Sequence, residues 1–176
     1  DEAGLAISHG GLGRLALFAT KPDHVAARKH FAENLRLSEK LGSATGQTKM
    51  HSLLAAVDVA EKQLVNAKQH YRAAFRLAPE QVDKIFSLSG LIVVHSLLGQ
   101  SEEADRNGVL LRELIESRLA KLSDADRNAN PVTAIPGISQ ANLTQALERS
   151  KASAAADWHR WLSELLDNNQ VLPPTG

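Results

Sequence analysis

Leu64-Val65-Asn66-Ala67-Lys68-Gln69-His70-Tyr71-Arg72-Ala73-Ala74-Phe75-Arg76-Leu77, closed by Ala78-Pro79, is the stretch that decides the fold. Ala67, Tyr71, Ala74 and Phe75 stand at i, i+4, i+7 and i+8, which lie on one side of an α-helix and on both sides of a strand. Pro79 removes a backbone donor and ends the run. The same order of side chains occurs earlier, with Ala27 and Phe31 in place of Ala67 and Tyr71. It returns later with Ala104 and Gly108, the alanines being 40 and 37 residues apart. Thirteen residues before Ala67 and Ala104 stand Leu54 and Leu91; in the first copy Leu12 precedes Ala27 by fifteen, two extra residues falling around Lys21-Pro22. Each copy reads as a leucine in a first helix, a small residue where the second helix crosses it, and then an aromatic one turn on. Two antiparallel helices approach closely only at a small side chain, and a bulky neighbour fills the space beside it. One such pair leaves an apolar face uncovered, so pairs stack.

Working outward, turn signals divide the rest. Leu5, Leu12, Leu15, Ala16 and Phe18 recur at helical spacing between Glu2 and Ala19, and Pro22-Asp23 restarts a helix. A second segment, Val25 to Leu41, carries Ala27, Phe31, Leu35 and Leu37 and stops at Gly42. Gly42 to Gly46 reads as a loop. The third runs from about Gln47 to Ala60 with Met50, Leu53, Leu54 and Val57 inward. The fifth spans Gln81 to Leu98, with Ile85, Leu88, Leu91, Ile92 and Val94, and ends at Gly99. The sixth starts at Ser101 as an N-cap, with Glu102 and Glu103 in the first turn, and continues to Leu122. Residues 123–137 contain Pro131 and Pro136 and read as a linker. Residues 138–169 read as one further helix with a Leu143, Leu147, Ala154, Trp158, Trp161, Leu162 and Leu165 stripe, and 170–176 as a tail.

Composition agrees. Alanine and leucine each occur 26 times, a helix-former's bias, and period-2 alternation is missing. Twenty basic side chains balance twenty acidic ones, which argues against a nucleic-acid binder driven by a basic field. Without cysteine there are no disulfides, thiolate metal sites or thiol nucleophiles. No run approaches the roughly 18 apolar residues of a membrane span, and no leader opens the chain. Together these features predict a soluble, cytoplasmic protein with no membrane partner. The opening Asp1 fits a processed chain or an excised piece.

At Leu12-Gly13-Arg14-Leu15-Ala16-Leu17 with Ala27 and Phe31, the chain resembles the tetratricopeptide repeat (TPR) family, whose pattern is L-G-x-x-A…A-x-x-x-F. Ala67, Tyr71, Ala74 and Pro79 match a second repeat, and Leu91, Gly99 and Ala104 a third. The spacing exceeds the strict form of about 34 residues. Ala55 and Ile92 replace the first-helix glycine, and Gly108 replaces the third aromatic. The resemblance implies an all-α fold: a right-handed stack of about three antiparallel pairs over 1–122, with 138–169 as a capping helix. It also implies a groove along the first helices that takes a peptide or helix of a partner protein. The positions carried over are Ile7, Gly10, Arg14 and Leu17; Lys49, Ser52, Ala56 and Val59; and Phe86, Ser89, Val93 and Ser96. Arg14, Leu17, Lys49, Ser52, Ala56, Phe86, Ser89 and Val93 are the groove residues expected to carry binding. The Lys/Asn carboxylate clamp of the chaperone-binding members is not preserved, since Gly10, Arg14, Ser52 and Ala56 stand there. Trp158 and Trp161 are expected to cap the array, to dock into a second copy or to occupy the chain's own groove.

Motifs for chemistry are weak. His9-Gly10-Gly11-Leu12-Gly13 resembles a hydrolase oxyanion loop, and Gly137-Ile138-Ser139-Gln140-Ala141 a nucleophile elbow, but no strand leads into either. The glycines lack the Gly-Lys-Ser/Thr of a phosphate cradle. His95-Ser96-Leu97-Leu98-Gly99 resembles a histidine phosphotransfer motif with its lysine replaced by Leu98. The seven histidines show no H-x-x-x-H or H-E-x-x-H spacing, so neither metal nor cofactor is expected. His30 and His70 fall at equivalent repeat positions, where a partly buried structural role is expected. The sequence therefore predicts a non-enzymatic binding module within a larger scaffold or regulatory protein. A helical signalling domain working through His95 is the alternative.

Overall fold

Asp23 shows how these helices begin: its Oδ1 accepts from the Ala26 amide at 2.9 Å, which satisfies one donor the first turn leaves open. The computed structural model describes residues 1–123, 140–149 and 157–168. Among them are eight helices and no strand: α1 (Glu2–Phe18), α2 (His24–Lys40), α3 (Ala44–Ala60), α4 (Leu64–Leu77), α5 (Gln81–Leu97), α6 (Ser101–Leu119), α7 (Gln140–Arg149) and α8 (Asp157–Asn168). The fold is all-α.

Two helix starts differ from expectation. α3 begins at Ala44, inside the anticipated loop, because the Ser43 hydroxyl accepts from the Gly46 amide at 3.1 Å and caps it. Ser101 is the first helical residue of α6; Gln100 precedes it as the cap, without a side-chain bond to the helix.

One turn recurs three times. α2 to α3, α3 to α4 and α5 to α6 are each joined by three residues, with Gly42, Lys62 and Gly99 at φ of 64°, 60° and 72°. In each, the following amide reaches back five residues: Ser43 to Ser38 (2.9 Å), Gln63 to Asp58 (2.7 Å) and Gln100 to His95 (2.8 Å). This is a Schellman-type ending, whose left-handed residue is best filled by glycine. Lys62 is the departure.

Contacts divide the chain into two compact units, Asp1–Ser87 and Leu88–Gly176, the division falling within α5. In the first unit α1 packs on α2, α2 on α3 and α3 on α4. Ala27 and Ala67 are fully buried, as the crossing model requires. A β-carbon on Gly13 would lie 2.5 Å from the Phe31 ring, so glycine here is what admits the aromatic. Leu17, Ala27, Phe31, Met50, Leu54 and Val57 form one apolar cluster. Beside it, Asn34 donates to the Ala6 carbonyl at 2.5 Å and accepts from Ser38 at 2.9 Å, which ties α1 to α2 through a satisfied buried amide.

α1 inverts the sequence expectation. Ala6, Gly10, Gly13 and Leu17 are buried, whereas Leu5, Leu12, Leu15 and Phe18 are exposed. The reason is steric: α2 approaches through Phe31 and Asn34, and only the small-residue side of α1 accepts them.

In the second unit Leu88, Leu91, Ile92, Val93 and Val94 of α5 are buried, as are Ala104, Gly108, Leu111 and Ile115 of α6. α8 packs on α6 and on α7. Leu143, Ala146, Trp158, Leu162 and Leu166 are their buried side chains. The single helix expected over 138–169 is represented by α7 and α8. The proposed linker after Ser123, residues 150–156 with Ala154, and the tail lie outside the described residues.

Candidate functional site

Ile7, Arg14, Lys49 and Phe86 are exposed and Ala56 and Val59 half-buried, so these members of the expected groove offer surface in the first unit. Neither Arg14 nor Lys49 has an ion-pair partner among the described residues. Four others do not offer surface. Leu17 is 8% exposed, Ser52 6%, Ser89 3% and Val93 5%. Leu17 belongs to the apolar cluster, and the Ser52 hydroxyl donates back to the Thr48 carbonyl at 3.0 Å. These are packing residues, and sequence periodicity alone does not distinguish them from their exposed neighbours one turn away. Gly10 and Ser96 are likewise buried.

Side-chain pairing across the helices brings together residues that single-residue reasoning left apart. His9 and His51 are each the eighth residue of their helix, α1 and α3; His30 and His70 are each the seventh of α2 and α4. In both pairs the Nδ1 atoms are 2.9 Å apart and the rings lie tilted, with centroids at 5.1 and 5.2 Å. Such a contact holds one Nδ1 as donor and the other as acceptor, so each pair carries a single shared proton between the rings. The equivalence of His30 with His70 was legible in the sequence. The offset of 42 residues from His9 to His51, close to the 40 between His30 and His70, was the signal that would have completed the pairs.

The second pair borders a buried charge. Asp58 is fully buried, with Arg28 Nη2 at 2.7 Å from its Oδ1 and His70 Nε2 at 3.8 Å from its Oδ2. The Asp58 oxygens make no well-aligned hydrogen bond among the described residues, and Arg28 meets them as a close ion pair. Arg28 also reaches Glu61 Oε2 at 2.5 Å, which links α2 to both ends of the last turn of α3. Burial lowers the His51 pKa, and the neighbouring His70 lowers it further. Burial lowers His70 as well, with Arg28 adding to the shift and Asp58 opposing it. Burial, with Asp58 beside it, pushes the Tyr71 phenol up to about 12. At neutral pH the pair is therefore uncharged and the phenol protonated.

His95 is 2% exposed, and its Nδ1 lies 2.8 Å from Gln100 Oε1 across the α5–α6 turn. A ring so enclosed presents little to a phosphorylated protein. Trp158 is also buried, whereas Trp161 is half-buried with the Arg112 guanidinium 5.5 Å from its ring centre. Among the described residues no group of three or more His, Asp or Glu is arranged to hold a metal ion, and no helix is long and apolar enough to cross a membrane. The chain matches no protein-family model and no curated protein.

Proposed function

We propose that the chain is a non-enzymatic, TPR-like helical-repeat module that binds a peptide or helix of a partner protein along its first helices. The observation that carries this reading is the exposed strip of Ile7 and Arg14 on α1 and Lys49 on α3, with half-buried Ala56. Ile7 and Lys49 occupy the same position in α1 and α3, as do Arg14 and Ala56, so the strip follows the repeat. Two cations without a carboxylate partner among the described residues, beside apolar surface, suit a segment that combines aliphatic and acidic side chains. The equivalent placement of Ala27, Ala67 and Ala104 and the thrice-used turn support stacked pairs.

The test is affinity capture with the full chain, read by quantitative mass spectrometry and repeated with Arg14→Glu/Lys49→Glu and with Phe86→Ala. A partner held by the wild type and lost with the charge-reversed variant is the expected result. Equal recovery by all three proteins overturns the assignment.

A further inference from the structure

α1 and α3 have the same length and align residue for residue at an offset of 42. α3 buries two sets of side chains. Thr48, Ser52 and Ala55 correspond to Ala6, Gly10 and Gly13, the side that α1 buries. Met50, Leu54 and Val57 form the other set, and they share a cluster with Ala27 and Phe31 of α2. The α1 residues at those second positions are Ser8, Leu12 and Leu15, and all three are exposed, Leu12 by 48% and Leu15 by 72%. Leu5, 47% exposed, extends the same side. α1 thus carries an uncovered copy of the surface that α3 presents to α2.

We infer that this side of α1 docks an amphipathic helix of α2 type, running antiparallel to α1. The α2–α3 contact supplies the template. Leu35 packs against the shared cluster, and Ser38, one turn on, lies against Gly46 at the start of α3. Gly4 is the α1 equivalent of Gly46, and it leaves the same room for a small residue. The incoming helix therefore presents apolar residues at the spacing of Phe31 and Leu35, and a small one at that of Ser38. Two substitutions define its chemistry further. Ser8 and Gly11 replace Met50 and Leu53, so the surface is shallower and accepts larger side chains. Ala16 and Ala19 replace Asp58 and Glu61, so no carboxylate awaits a cation equivalent to Arg28. The occupant is uncharged at that position, where an unpaired charge would lose water without compensation.

This surface differs from the Ile7–Arg14 strip, and the inference does not rest on the proposed function. The probe is a synthetic peptide spanning Asp23–Leu41, in its native sequence and with Arg28→Leu, titrated into the full ¹⁵N-labelled chain. The expected result is binding that perturbs Gly4, Ser8, Leu12 and Leu15, tighter for the Arg28→Leu peptide. Leu12→Glu/Leu15→Glu in the chain should weaken it at least about tenfold. Both changes are at exposed positions, and circular dichroism checks that the helices persist. Arg14→Glu should leave the titration unchanged. Undiminished binding to Leu12→Glu/Leu15→Glu overturns the inference, as does no binding to the wild type. Concentration-dependent dimerisation that this variant abolishes, with no peptide binding, assigns the surface to a second copy and overturns it equally.

Discussion

Trp158 of α8 lies against Gly108 of α6 so closely that a β-carbon on the glycine would overlap the indole ring. Its Nε1 donates to Asp105 Oδ1 at 2.9 Å, so the polar edge of the buried ring is satisfied as well. Gly108 is the eighth residue of its helix, the place held by Phe31 in α2 and Tyr71 in α4. The aromatic missing from the third pair is thus replaced by one from a distant helix.

Gly108→Ala should therefore destabilise the protein, although alanine favours helix over glycine by about 1 kcal/mol. Overpacking a site of this kind costs about 1–3 kcal/mol, and displacing Trp158 adds the loss of its bond to Asp105. A lowered urea midpoint, accompanied by a red shift in tryptophan emission, is the expected outcome. A stabilised variant with unchanged emission would mean that α8 does not pack there.

Lys62→Gly should act in the opposite direction. Lys62 occupies the left-handed position that Gly42 and Gly99 fill in the equivalent turns. Relief of the side-chain penalty, about 1–2 kcal/mol, is partly offset by the greater freedom of glycine in the unfolded chain. A net gain of about 0.5–1 kcal/mol should appear as a higher thermal midpoint, with the helical signal unchanged.

Arg28→Ala is expected to cost more than Asp58→Asn. The first leaves a buried carboxylate without its cation, whereas the second leaves an Arg28 that still reaches Glu61 and is 34% exposed. With the discount for that exposure, Arg28→Ala should cost about 1–3 kcal/mol. Chemical denaturation of both single variants and the double variant measures the coupling directly.

The His51–His70 pair makes stability pH-dependent. The pKa values of His51 and His70 are lowered in the fold, so the unfolded chain takes up protons first as pH falls through the ordinary histidine value of about 6.5. The stability contributed by the neutral pair is full above that value and declines below it. Asp58 and Arg28 are the charged groups facing the pair, and their opposing influences leave burial dominant. The urea midpoint should fall between about pH 7.5 and about pH 5.5, and His51→Gln/His70→Gln should flatten that dependence. An equally steep dependence in the variant would place the titrating groups elsewhere.

Local information carried much of the architecture. Ala27, Ala67 and Ala104 marked the crossings because only a small side chain permits close helix approach, and all three are buried. Pro79, Gly42 and Gly99 marked helix ends because their backbone chemistry is local. The expected groove was legible only in part. Arg14, Lys49 and Phe86 are exposed, whereas Leu17, Ser52 and Ser89, one turn further along the same helices, and Val93, two turns beyond Phe86, have turned inward. Both choices satisfy the same 3.6-residue period, and no property of the individual residues separates them.

By itself, then, the sequence determined that the chain is helical, where most helices begin and end, and which small residues mark their crossings, since propensity, capping and period act over a few neighbouring residues. Tertiary structure alone decided that α1 turns its glycines inward and its leucines outward, that histidines from neighbouring helices share a proton, that Arg28 meets Asp58, and that Trp158 fills the space over Gly108. Each of these depends on which side of one helix another approaches. That choice is made by steric fit between side chains distant in sequence.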